Sequence, residues 1–101
     1  MDPARLAVAR FLDRLSTALA EDRVIATDDA LQTVAHQLGW EIGDMYAVLH
    51  MLDEAEFHLS EPSTAPEGGQ IWVFLPMSEE GRLWVRLCER DHIVLVSFHR
   101  G

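Results

Sequence analysis

Apolar residues recur at three- and four-residue steps through Leu6, Val8, Phe11, Leu12, Leu15, Ala18 and Leu19, which predicts an amphipathic helix ending near Ala20. Asp2 is its expected cap and Pro3 its first helical residue, with Arg5, Arg10, Asp13 and Arg14 on the polar face. Val24 and Ile25 fall in a short link or a brief strand. Thr27 reads as the cap of a second helix, and Asp28 and Asp29 suit the positive end of its dipole. Leu31, Val34, Ala35 and Leu38 form its buried face, and Gly39 closes it. After a turn over residues 40–43, a third helix places Met45, Val48, Leu49 and Leu52 inward and ends near Ala55.

Beyond that point the pattern changes. Phe57-His58-Leu59 alternates like a strand, residues 60–69 are polar and rich in Pro and Gly, and Gln70 to Leu75 is a β-branched and aromatic strand stopped by Pro76. Ser78 is the expected cap of a fourth helix with Glu79 and Glu80 in its first turn. Leu83, Trp84, Leu87 and Cys88 supply its apolar side, and Arg82, Arg86 and Arg90 repeat every fourth residue as a basic stripe. His92 to His99 reads as a last strand, apolar on both faces at Val94, Leu95 and Val96. A strand without a polar face needs two covering surfaces.

The order helix, helix, turn, helix, strand, loop, strand, helix resembles that of the MarR and PadR winged-helix regulators. Leu31-x-x-Val34-Ala35-x-x-Leu38-Gly39-Trp40 is similar to the first helix and turn of a helix-turn-helix, and residues 44–54 to a recognition helix. Residues 57–59 and 71–74 resemble wing strands, and Pro76 to Arg82 the entry into the helix after the wing. The implied fold class is α+β, a winged helix-turn-helix with a three-helix core, a two-stranded wing, a fourth helix after the wing and a short C-terminal strand. It is one domain over residues 1–101, with the helix-turn-helix at about 28–55, the wing at about 57–75 and the C-terminal helix at about 78–90. The resemblance implies a dimer that binds DNA, with the third helix in the major groove.

Charge alters that picture. The chain has 101 residues, 49% of them apolar and 25% charged, enough for one domain with a real core. Its formal net charge is −9, and all eight basic side chains are Arg. Between Arg23 and Arg82 lie eleven carboxylates and no cation, across the half expected to face DNA. Phosphate neutralisation by Lys and Arg supplies most of the affinity for DNA, so DNA binding is expected to be weak. The outward positions of the third helix offer Ile42, Tyr46, Ala47, His50 and Met51, an apolar and aromatic set suited to protein contact. The favoured reading is therefore a non-enzymatic regulatory or adaptor protein, acting mainly through protein–protein contacts in transcription or DNA maintenance. The alternatives are a dimeric DNA-binding regulator of the MarR or PadR type and an acidic DNA-mimic inhibitor.

A homodimer is expected through Phe11, Leu15, Trp84, Leu87, Val94 and Val96; the alternative is a monomer whose tail fills a gap. Arg82, Arg86 and Arg90 either contact an acidic partner or DNA, or form a solvated face with local pairing. His36, His50, His58, His92, His99 and Cys88 lack the short paired spacings of a zinc site. The adjacent carboxylates Asp28-Asp29 and Glu79-Glu80 fit helix starts, and neither a nucleophile motif nor a phosphate-binding loop occurs. No catalytic residue, metal or cofactor is expected. The apolar runs Ile71–Leu75 and Ile93–Val96 are too short to span a membrane. With no secretory signal pattern at Met1-Asp2-Pro3 and a single Cys88, a cytoplasmic location is expected.

Overall fold

The computed structural model describes residues 3–101, so the expected cap Asp2 lies outside the described residues. Helix α1 (Pro3–Ala20) buries Val8, Phe11, Leu15 and Ala18 along one stripe. A short strand β1 (Val24–Ala26) follows. Helix α2 (Asp28–Thr33) is capped by Thr27, whose hydroxyl accepts from the Ala30 amide at 3.2 Å and donates to the Val96 carbonyl at 3.1 Å. The same side chain thus starts the helix and ties it to the sheet. The helix continues as a π-helical turn over Val34–Leu38 and ends where Gly39 takes φ +67°. Helix α3 (Ile42–His50) is capped reciprocally by Glu41 and Asp44.

The remaining chain is mostly strand: β2 (Phe57–Pro62), β3 (Gln70–Phe74), β4 (Met77–Ser78), β5 (Gly81–Glu89) and β6 (Ile93–Arg100). The six strands form one sheet in the order β1-β6-β5-β3-β2, with β4 pairing to β5 off that path. Only the β1–β6 pairing is parallel. The main core lies between the helices and one face of this sheet. Phe11 stacks on Trp72 at 4.5 Å between ring centroids, and Trp40 meets Phe98 edge-on at 6.0 Å. The other face carries a smaller cluster of Ile71, Val73 and Cys88, bordered by Leu59, Leu75, Trp84 and Val96.

This is not a winged helix. The two expected wing strands are β2 and β3 of a six-stranded mixed sheet, and the expected fourth helix at 78–90 is a hairpin. The Ser78 hydroxyl donates to the Gly81 carbonyl at 2.8 Å and accepts from the Glu80 amide at 3.1 Å, while Gly81 adopts φ +95°. That turn feeds β5, where Leu83, Val85 and Leu87 point to the core and Arg82, Trp84 and Arg86 to the opposite face. A four-residue repeat of Arg is compatible with both a helix and a strand, because four is a multiple of two.

Two bulges decide which side chains reach the sheet's second face. Phe57 pairs with Phe74 but Leu59 pairs with Val73, which leaves His58 as an extra residue in β2. Arg86 pairs with Ser97 but Leu87 pairs with Leu95, which leaves Val96 as an extra residue in β6. Each extra residue reverses the inward–outward alternation of its strand. Leu95 and Phe98 can therefore both be buried in the main core while His99 faces outward. The all-apolar run in β6 reflects this switch, together with the second small cluster.

Candidate active site

Among the described residues no helix covers the second face of the sheet, and three rings gather there. Trp84 of β5 pairs directly with His99 of β6, and their rings stack with centroids 6.3 Å apart and planes 13° apart. His58, projected by its bulge, meets Trp84 edge-on at 5.7 Å. The indole is half-buried against the Ile71–Val73–Cys88 cluster, which fixes it as a platform, whereas His58 is exposed. Nδ1 of His99 lies 2.7 Å from the Arg100 carbonyl. A carbonyl only accepts, so Nδ1 carries the proton of the neutral ring and Nε2 is left as a proton acceptor. Arg82 and Arg86 flank Trp84 on the same strand face, and among the described residues neither forms an ion pair. An aromatic platform between two imidazoles, bordered by guanidinium groups, has the chemistry to stack a base, bind a phosphate and move protons.

Most of the residues expected to matter lie away from this array. Ile42, Ala47, His50 and Met51 are exposed on or just after α3, and Tyr46 is half-buried with its hydroxyl donating to the Val24 carbonyl at 3.4 Å. Phe11, Leu15, Leu87 and Val94 are buried within the single chain and offer no surface to a second copy. Val96 is half-buried and borders the second cluster, while Trp84 belongs to the ring array. The three arginines do not share a helix: Arg82 and Arg86 sit on β5, and Arg90 lies beyond its end with Nε buried and unpartnered. Among the described residues no three His, Cys, Asp or Glu side chains come together as metal ligands. Spacing along the chain does not single out His58 and His99 as site residues. Their signal is the strand assignment of both segments, which brings residues 41 apart in sequence against one indole.

The architecture defines a small α+β protein with helices on one face of a mixed sheet and a polar, imidazole-bearing site on the other. The family model described as motility quorum-sensing regulator, toxin of MqsA, matches residues 9–100, and the chain belongs to this family. No curated protein matches the chain. Family membership overturns the resemblance to MarR and PadR regulators and, with it, the regulatory or adaptor role, the DNA-binding alternative and the DNA-mimic alternative. Toxins of this family act as ribonucleases, so the expectation of a non-enzymatic protein is corrected as well. The partner in the family's description, MqsA, is another protein. No helix among the described residues is long and apolar enough to cross a membrane.

Proposed function

We propose that this chain is the toxin of a toxin–antitoxin pair and cleaves RNA on the open face of its sheet, in the cytoplasm, under the restraint of a protein antitoxin. The observation that carries this reading is the His58–Trp84–His99 array, which lies within the residues matched by the toxin family. A single-stranded base stacks on the Trp84 indole, as unpaired bases do on aromatic side chains. Arg86 and Arg82 receive the neighbouring phosphate. The free Nε2 of His99 accepts the proton of the ribose 2′-hydroxyl as its oxygen attacks phosphorus. His58, entering protonated, gives its proton to the departing 5′-oxygen as the P–O5′ bond breaks. The products are a 2′,3′-cyclic phosphate and a 5′-hydroxyl end, and the two imidazoles have exchanged protonation states.

Cleavage of a fluorogenic single-stranded RNA by the purified chain tests this. His99→Gln and His58→Gln are each expected to lower kcat by about 10²–10⁴-fold, the ordinary contribution of general acid–base catalysis. The wild type should show a bell-shaped dependence of kcat/KM on pH, with each variant losing one limb. Cleavage that persists at wild-type rate in the double variant rejects this site.

A further inference from the structure

A groove of about 420 Å³ runs between the β4–β5 hairpin and α3. Its walls are mixed: Trp40, Ala47 and Val48 on the helix side and Met77 on the hairpin, 68% exposed, supply the apolar part, and Ser78 with the carboxylates the polar part. Asp44 and Glu79 are the charged groups lining it, with Glu41 and Glu80 exposed next to them along the chain. Arg and Lys are absent from the whole span between Arg23 and Arg82, which supplies every residue of the groove. A groove that joins apolar side chains to carboxylates repels a nucleic acid, an anionic membrane surface and a second copy of this chain at net charge −9.

We propose that this groove docks a segment of the protein partner that restrains the toxin, a segment bearing apolar side chains among Lys or Arg; the partner's role rests on the toxin reading above. The apolar side chains would fill the trough against Met77, whose flexible thioether adapts to irregular partners. The cations would face Asp44 and Glu79, and complementary charge of this kind selects the partner and speeds its encounter. Met77 is the ladder partner of Arg82, so a segment seated in the groove engages the same hairpin whose second strand carries Arg82 and Arg86.

The test is fluorescence anisotropy of the intact chain with a short labelled peptide of alternating Leu and Arg, in the absence of RNA. A Leu/Glu peptide and a Gly/Arg peptide serve as charge and apolarity controls. Wild type is expected to bind the Leu/Arg peptide in preference to both. Glu79→Lys with Glu80→Lys, and separately Met77→Ser, should each weaken that binding about tenfold, or about 1.4 kcal/mol. The remote pair Glu61→Lys with Glu67→Lys makes the same charge change and should leave it intact. Equal binding of the Gly/Arg peptide, equal loss in the remote variant, or no binding at all overturns the proposal. Because Met77→Ser changes no charge and sits on an exposed two-residue strand, a folding defect in the Lys variant does not remove the test. RNA plays no part in the measurement, so a failed groove and a failed nuclease are told apart: His99→Gln should bind the peptide as wild type does.

Discussion

Trp84 is held on both sides: its inner edge packs on Ile71, Val73 and Cys88, and its outer surface carries two imidazoles. A residue so fixed positions a base without a loss of its own rotamer freedom. Replacing it separates stacking from proton transfer. Trp84→Ala is expected to raise KM by the equivalent of about 1–3 kcal/mol, the usual worth of one base–aromatic stack. Trp84→Phe should recover most of that loss while kcat stays within a few-fold, and steady-state kinetics on the same RNA checks both. A fall in kcat alone would place the indole's role in holding His58 and His99 instead. At this scale local chemistry was readable. Thr27 and Gly39 announced a cap and a stop because each acts on its own helix within a few residues. His58 and His99 were not readable, because each reaches Trp84 only across the sheet and each depends on a bulge that no residue type announces.

Among the elements, the helical half of the chain and the last strand followed their patterns, and residues 78–90 did not. The first two helices start and stop close to where the apolar spacing and caps place them, whereas the third ends at His50, short of the expected end near Ala55, and a separate 3-10 turn covers Glu54–Glu56. Residues 82–88 fit two periods at once, since Leu83 and Leu87 lie on one side of either a helix or a strand. The deciding residue is Val85, which a helix would turn away from Leu83 and Leu87 and which the structure buries with them. Gly81 makes the same point from the turn. Its φ of +95° is required for the hairpin and is unavailable to a helix interior, yet Gly inside a helical pattern is tolerated often enough to be overlooked. Gly81→Ala meets no atom within 4 Å, so its cost is conformational strain alone, expected at about 1–2 kcal/mol. Denaturant titration checks that figure. Catalysis should fall further than global stability, because the hairpin turn sets where Arg82 stands beside Trp84.

For the whole molecule, charge is segregated rather than merely acidic. Eleven carboxylates occupy the cation-free span from α2 to the hairpin turn, whereas Arg82 and Arg86 stand together on the open face of β5. Set on a winged helix, that gap looked like a DNA-binding surface without its cations; on this sheet it is spread over several elements, of which β2 brings His58 to the ring array. The charge pattern was legible in the chain, and its placement was not, because placement depends on β5, whose periodicity also fits a helix. Salt should therefore act in opposite directions on stability and on RNA affinity. Raising NaCl from about 20 to about 200 mM shortens the Debye length from roughly 20 Å to below 10 Å. It should raise Tm by screening the self-repulsion of a chain with net charge −9. Over the same range the affinity for single-stranded RNA should fall, with a slope of log K against log salt near −1.4 if Arg82 and Arg86 each neutralise one phosphate, at about −0.7 per contact. Arg86→Gln should reduce that slope by about 0.7, measured on an RNA whose reactive 2′-hydroxyl is replaced by hydrogen. A slope left unchanged by Arg86→Gln would show that the RNA backbone lies elsewhere, and a Tm that fell with salt would show that attraction between the two charge regions outweighs repulsion within the acidic one.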